Sequence, residues 1–531
     1  MPCLRAVFPL LLASWLPGAA LASSYDLVLA GGRVMDPESG LDAVRHVGIR
    51  AGKIAALSES PLEAREVVDA TGLVVAPGFI DLHEHGQNAI SHAFHARDGV
   101  TTALDLEAGA WPVAPFYAER EGKTLANFGV SVGHIPARVK LMHGFAIGHR
   151  PTSAGRETGM SGMFRRLVER VYRPMGYARE AATPEQIEEL LGLLGEGLDE
   201  GALGIGMGLD YTPGAKPEEI RAVFGLAAAR GVPVLVHMRG AIGPDDMSQI
   251  DALLAHVAAT HAALHIFHLG SSGGPRALAY LERIRAARAR GLDVTTEVYP
   301  YLASSTYLES ALFDDGWQER LGIGFGDLQW AASGERLTAE SFATYRKQGG
   351  MVIAYSMKAE HVDALVASRD VMIASDGMPF FEQKVHPRGA GSFARVLGRY
   401  VREQQALPLL AALRKMTLLP AQRLEGFAPE FADKGRVRVG ADADLVVFDA
   451  ARVLDRATFE DPFQPSTGIV HTLVGGVFVV RDEQLVEGVT PGRGMKATVP
   501  SGALLEQLRE AGGGRVLEPD LLVGGQLAAG D

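Results

Sequence analysis

Hydrophobic positions in the middle of the chain fall into two alternating textures. Short apolar runs open with Phe79-Ile80-Asp81-Leu82 and recur at 100–106, 128–132, 202–207, 233–236, 262–267, 292–298 and 371–374, eight in all. Continuous runs of this length, bounded by turn residues, are the pattern of strands buried on both faces. Between several of them the apolar period becomes helical. Thr183-Pro184-Glu185-Gln186 is a capping box with proline at the first helical position, opening a helix to about residue 198. Met247, Ile250, Leu253, Leu254 and Val257 form one apolar stripe; Leu278, Leu281 and Ile284 form another, closed by Gly291. Eight strands alternating with helices predict an α/β chain folded as a (β/α)8 TIM-like barrel, with a doubly wound sheet as the main competitor.

The flanks read differently. Tyr25-Asp26-Leu27-Val28-Leu29-Ala30 meets Gly31-Gly32, and Val47-Gly48-Ile49-Arg50 turns at Ala51-Gly52 into Ile54-Ala55-Ala56-Leu57. The same texture returns late in the chain. Ala443-Asp444-Leu445-Val446-Val447-Phe448 is a strand candidate, and residues 469–474 pair through Gly475-Gly476 with 477–480 as a two-residue hairpin. The expected layout is a small β-domain built from both chain ends, residues 23–76 and 430–495, around the barrel at 77–429. Residues 136–182 form a long insertion with the makings of a lid, and residues 496–531 an appendage rich in glycine and leucine. Met351-Val352-Ile353-Ala354 is an extra strand outside the eightfold pattern, and no internal repeat is present.

Composition narrows the partners. The chain has 531 residues, 47% hydrophobic and 21% charged, which is ordinary globular material. A formal net charge of −12 argues against nucleic acid and against stable association with an anionic membrane. The pattern implies no particular oligomeric state. At the N-terminus Arg5 precedes an apolar stretch that ends in Ala20-Leu21-Ala22 before Ser23-Ser24. Residues 1–22 therefore read as a cleaved signal peptide, and the mature protein as periplasmic or secreted. The one cysteine, Cys3, lies inside that segment, so disulfides and sulfur ligands are both excluded.

The chemistry begins at His83-Glu84-His85. Side chains two apart on a strand share a face and lie ~7 Å apart along it, close enough for both imidazoles to reach one metal ion. Strand ends are where barrel enzymes carry their chemistry. His237 ends the run 233–236, His268 ends 262–267, and Ser375-Asp376-Gly377 ends the last run. Four histidines and one aspartate at strand ends are hard to explain as solvated polar residues, although the chain holds 16 histidines. Imidazole with carboxylate is a ligand set that suits zinc.

These pieces resemble a known family. The run Pro77 to His85, Gly99-Val100-Thr101-Thr102, Gly201-Ala202-Leu203-Gly204, His237-Met238-Arg239, Phe267-His268-Leu269, Tyr299-Pro300-Tyr301, Ser375-Asp376-Gly377 and His386-Pro387-Arg388 are similar to the amidohydrolase superfamily. Together with Gly398 to Glu403, Lys434-Gly435-Arg436, Asp442 to Phe448 and Arg456 to Pro462, they resemble its D-aminoacylase (N-acyl-D-amino-acid deacylase) branch, from about residue 25 to 495. The resemblance implies one or two Zn2+ ions, one held by His83, His85 and Asp376 and the other by His237 and His268. It also implies that Asp376 takes a proton from the attacking water and returns it to the departing amine, and that Arg388 binds the substrate carboxylate. Tyr301 is a candidate further hydroxyl donor to substrate.

Two departures qualify the match. The family commonly places a cysteine ligand after the second strand, where this chain has none. Glu107 is the favoured replacement as bridging ligand, Asp105 shares its strand face, and a carbamylated Lys140 is a third candidate. The family also often has a lysine two residues after the sixth-strand histidine, where this chain has Gly270. The resemblance implies a small-molecule substrate, and the expected activity is hydrolysis of the amide of an N-acyl-amino acid of D configuration. A dipeptidase or cyclic-amide hydrolase on the same barrel is the alternative, and a non-catalytic binding relative the alternative of another class.

Overall fold

In a computed structural model, the described residues are 25–147, 176–240, 245–380 and 385–498. The expected signal peptide, the 496–531 appendage beyond residue 498 and the insertion from 148 to 175 lie outside them.

Eight parallel strands pair in chain order: Phe79–Asp81, Val100–Ala110, Asn127–Gly133, Ile205–Gly208, Val234–His237, Leu264–Ile266, Val294–Val298 and Met372–Ile373. A doubly wound sheet reverses its strand order at a switch point, and this one does not. The eighth strand returns to the first just beyond both: Glu84 bridges Gly377 in parallel, and the His85 N–H donates to the Gly377 carbonyl (2.8 Å). The fold is thus a nearly closed eight-stranded barrel. Alternating side chains divide two cores. Leu235 points inward with Ile80, Leu82, Leu104, Leu106, Phe267 and Met372, while its neighbours Val234 and Val236 pack outward against the helices.

The helices form where the sequence signals them. In Pro184–Asp199 the Thr183 hydroxyl accepts from the Gln186 N–H (3.2 Å) while the Gln186 side chain accepts from the Thr183 N–H (2.9 Å). Ser248–Thr260 buries Ile250, Leu253, Leu254 and Val257, and Ala277–Ala289 buries Leu281 and Ile284. Gly291, at φ 85°, turns the chain out of the second of these.

Both ends of the chain build one nine-stranded sheet. Leu445–Phe448 lies between Val74–Pro77, from the N-terminal flank, and Ile469–Val474. The hairpin from Ile469–Val474 to Val477–Arg481 turns on Gly475 and Gly476 at φ 54° and 76°, the two positive values a type I′ turn requires. The extra strand, Met351–Ala354, is the centre of a three-stranded antiparallel sheet with Ser304–Tyr307 and Leu328–Trp330. This sheet stands in the excursion between barrel strands seven and eight, over its own core of Phe313, Trp317, Trp330 and Phe342. No helix among the described residues is long and apolar enough to cross a membrane.

Candidate functional site

Each expected ligand sits at or just past the C-terminal end of a barrel strand. His83 and His85 follow the first, Glu107 lies late in the second, and His237 closes the fifth. His268 follows the sixth and Asp376 the eighth. His268 (φ 33°) and Asp376 (φ 51°) both hold left-handed backbone, uncommon for residues other than glycine.

Glu107 is the hub. One of its carboxylate oxygens lies 2.7 Å from His83 Nε2 and 3.1 Å from His268 Nε2, and the other 3.0 Å from His237 Nδ1. His83 Nε2 is 3.1 Å from His85 Nε2, and His268 Nε2 is 3.0 Å from His237 Nδ1. Asp376 Oδ1 faces His83 Nε2 (3.4 Å) and His85 Nε2 (3.6 Å). Three overlapping triads result, His83–His85–Glu107, His83–His268–Asp376 and Glu107–His237–His268, each with its ligand atoms within 4.8 Å of one another.

The donor set fits a divalent metal. Imidazole nitrogens that converge at about hydrogen-bond distance compete for protons unless a cation lies between them. The surrounding charge favours a cation too. Burial opposes a charge on His85, yet Asp105 and Asp376 outweigh it and pull its pKa up to about 10. Burial likewise opposes the charged form of His83, and Asp376, Glu107 and Glu297 raise it well above the ordinary histidine value. Burial would raise the Glu107 carboxyl, but His237 and His83 hold it well below the usual range. Glu107 stands between His83 and His85 on one side and His237 and His268 on the other.

The other candidates stand elsewhere. Asp105 lies behind His85, its oxygen 3.3 Å from His85 Nδ1, where it orients the ring. Lys140 is outside the cluster, on the helix His134–His143, and its Nζ donates to the Gly144 carbonyl (3.2 Å) just past the helix end. Arg388 is fully buried and its Nη1 pairs with Asp376 Oδ2 (2.8 Å). Burial opposes the ionised form of Asp376, but the Arg388 guanidinium and His83 hold it far below the usual carboxylate range.

Tyr301 is not brought to the cluster. Its ring lies against His386 (5.3 Å) and under the Arg395 guanidinium (4.6 Å). Tyr299 takes the place beside the site, its ring 4.6 Å beneath the Arg388 guanidinium and 6.4 Å from His268. The Tyr301 N–H donates to the Tyr299 carbonyl (3.0 Å), so a tight turn replaces the strand alternation that equates positions two apart. A Cβ added to Gly270 would meet Met357, Val298 and Leu365, so this position opens toward an apolar wall.

Sequence reasoning missed three further residues. Tyr211 sets its ring 4.7 Å from that of His237, tilted at 55°, and its hydroxyl meets Thr306 Oγ1 (2.9 Å) on the extra sheet; nothing in its loop sequence signals this. Asp81 accepts from the backbone N–H of His83 (3.1 Å) and of Ser375 (3.0 Å), tying the first strand to the eighth. Glu297 receives His83 Nδ1 at 2.8 Å. A glutamate inside the apolar run 292–298 was its signal.

Comparison with known proteins finds relatives over most of the chain. A family model described as "Amidohydrolase family" matches residues 66–480. The N-acyl-D-glutamate deacylase of Alcaligenes xylosoxydans xylosoxydans is 33% identical, over 86% of this chain and 94% of that protein. The D-aminoacylase of the same organism is 32% identical, over 89% of this chain and 98% of its own. Among solved structures, N-acyl-D-glutamate deacylase from Bordetella bronchiseptica, complexed with zinc and a phosphonate inhibitor, superposes with a TM-score of 0.71. It is 26% identical, and the match covers 89% of this chain and 100% of that one.

Proposed function

The chain belongs to the amidohydrolase family, and from that premise we propose that it is a hydrolase that cleaves the amide of N-acyl-D-amino acids with zinc. The observation that carries this reading is the Glu107 carboxylate, held at 2.7–3.1 Å from histidines of three different strands. His83, His85 and Asp376 would hold one ion, His237 and His268 the other, and Glu107 would join them. When bound, zinc supplies a Lewis acid for a carbonyl oxygen and a water acidic enough to ionise near neutral pH.

The chain's own residues do the rest. Asp376 is held ionised, so it can accept a proton from the attacking water. As the carbon–nitrogen bond breaks, the same carboxyl returns that proton to the amine nitrogen, leaving a carboxylate and a free amino acid. Arg388 presents a second role. Its Nε makes no hydrogen bond among the described residues, leaving a donor edge for the carboxylate of an N-acyl-amino acid. The names of the relatives support a D-configured substrate. The leader-like residues 1–22 support work outside the cytoplasm.

The test is a hydrolysis screen on the zinc-loaded protein, following amine release from N-acetyl-D-amino acids, their L-enantiomers, dipeptides and cyclic amides. Fastest turnover of an N-acyl-D-amino acid is expected. Turnover of dipeptides or cyclic amides with none of any N-acyl-D-amino acid would replace the substrate assignment.

A further inference from the structure

Glu297 lies on the seventh barrel strand, Val294–Val298, with no exposed surface. Val294 and Val298 pack outward against the helices, so Thr295 and Glu297 point into the barrel, beneath the cluster. Glu297 Oε1 lies 2.8 Å from His83 Nδ1 and accepts the His268 backbone N–H at 3.3 Å. Its second oxygen lies 3.7 Å from His265 Nε2, and His265 Nδ1 meets the Thr295 hydroxyl at 2.8 Å. One buried carboxylate therefore touches two cluster histidines from different strands and is flanked by a third histidine outside the cluster.

Each contact has a consequence. An acceptor on His83 Nδ1 keeps the proton at that nitrogen and leaves Nε2 to face Glu107, His85 and Asp376. His268 holds a left-handed φ of 33°, a conformation that persists only where surrounding contacts impose it. The bond from its N–H to Glu297 is such a contact. We infer that Glu297, backed by His265 and Thr295, is a positioning residue that orients the His83 ring and the His268 turn together and so sets how tightly the site holds a divalent ion. Neither Glu297 nor His265 is placed to touch substrate. The inference rests on the ligand assignment proposed above.

Zinc titration of chelator-stripped protein tests it, comparing wild type with Glu297→Gln, His265→Asn and Thr295→Val, each checked by circular dichroism and by the melting temperature of the metal-free form. The expected result is zinc binding weakened about 10- to 100-fold in Glu297→Gln and less in the other two. A purely structural role would lower the metal-free melting temperature and leave the affinity of the folded protein unchanged; that result overturns the inference. Should Glu297→Gln fail to fold, unaltered affinity in both His265→Asn and Thr295→Val overturns it equally. A wild type that takes up no zinc at all defeats the ligand assignment, and the positioning role with it, whereas tight wild-type binding matched by every variant defeats the positioning role alone.

Discussion

A carboxylate 2.8 Å from a guanidinium and 3.4 Å from an imidazole stays ionised, and that is the state a proton acceptor needs. Asp376 is the residue on which turnover should depend most. In Asp376→Asn the amide keeps the volume but accepts no proton, so kcat should fall by about 10²- to 10⁴-fold with the circular dichroism unchanged. A loss of less than tenfold would assign the proton to another group. At this scale the sequence was informative wherever chemistry and strand ends coincided, as at His83, His85, His237, His268 and Asp376. It misled at Tyr301, because the tight turn after the seventh strand puts Tyr299 beside Arg388 instead. It was silent on Tyr211, whose position depends on a loop meeting the extra sheet through Thr306.

At the scale of elements, local signals carried through wherever their hydrogen bonds are local. The Thr183 capping box is closed within three residues, and the Gly475-Gly476 turn pairs Val474 with Val477, although its own N–H groups donate to Asp444 and Ala443. The helix Ala89–Arg97 is the opposite case. Its nine residues bury His92 and His95, whose neutral forms are imposed by packing that the sequence does not display. Burial, aided by Arg120, pushes His92 down to about 4, and burial, aided by His92, pushes His95 down to about 3. Both values lie below the ordinary unfolded value of ~6.5. Below that value the unfolded chain binds protons that the folded chain refuses, so stability falls as pH drops from about 6.5 toward 3. The slope contributed is up to about 1.4 kcal/mol per pH unit for each histidine. Denaturant midpoints measured across this range should show the fall, and His95→Gln should flatten it by about one proton. An unchanged slope in that variant would show that the acid response arises elsewhere.

At the scale of the whole molecule, residues 493–495 tie the late part of the chain to the barrel. Beyond the last sheet strand the chain returns beneath the barrel. The Phe128 N–H donates to the Arg493 carbonyl (3.0 Å), the Met495 N–H to the Phe128 carbonyl (2.7 Å), and the Tyr117 hydroxyl to the Met495 carbonyl (2.7 Å). Met495, fully buried, packs with Ile80, Leu104, Leu203, Leu235 and Phe267 in the core inside the strands. Met495→Ala should therefore cost about 2–5 kcal/mol, read as a lower denaturant midpoint. A shift near zero would mean that the barrel floor closes without it. The eight apolar runs and the residues at their ends determined the fold class and most of the candidate ligands, because burial on both faces and strand-end chemistry are properties of local sequence. Tertiary structure alone decided that Glu107 rather than Lys140 enters the cluster, that Glu297 reaches His83 from 214 positions away, and that Tyr299 displaces Tyr301. Those outcomes depend on where separate strands and turns place their side chains around a common axis, and no spacing along the chain encodes that meeting.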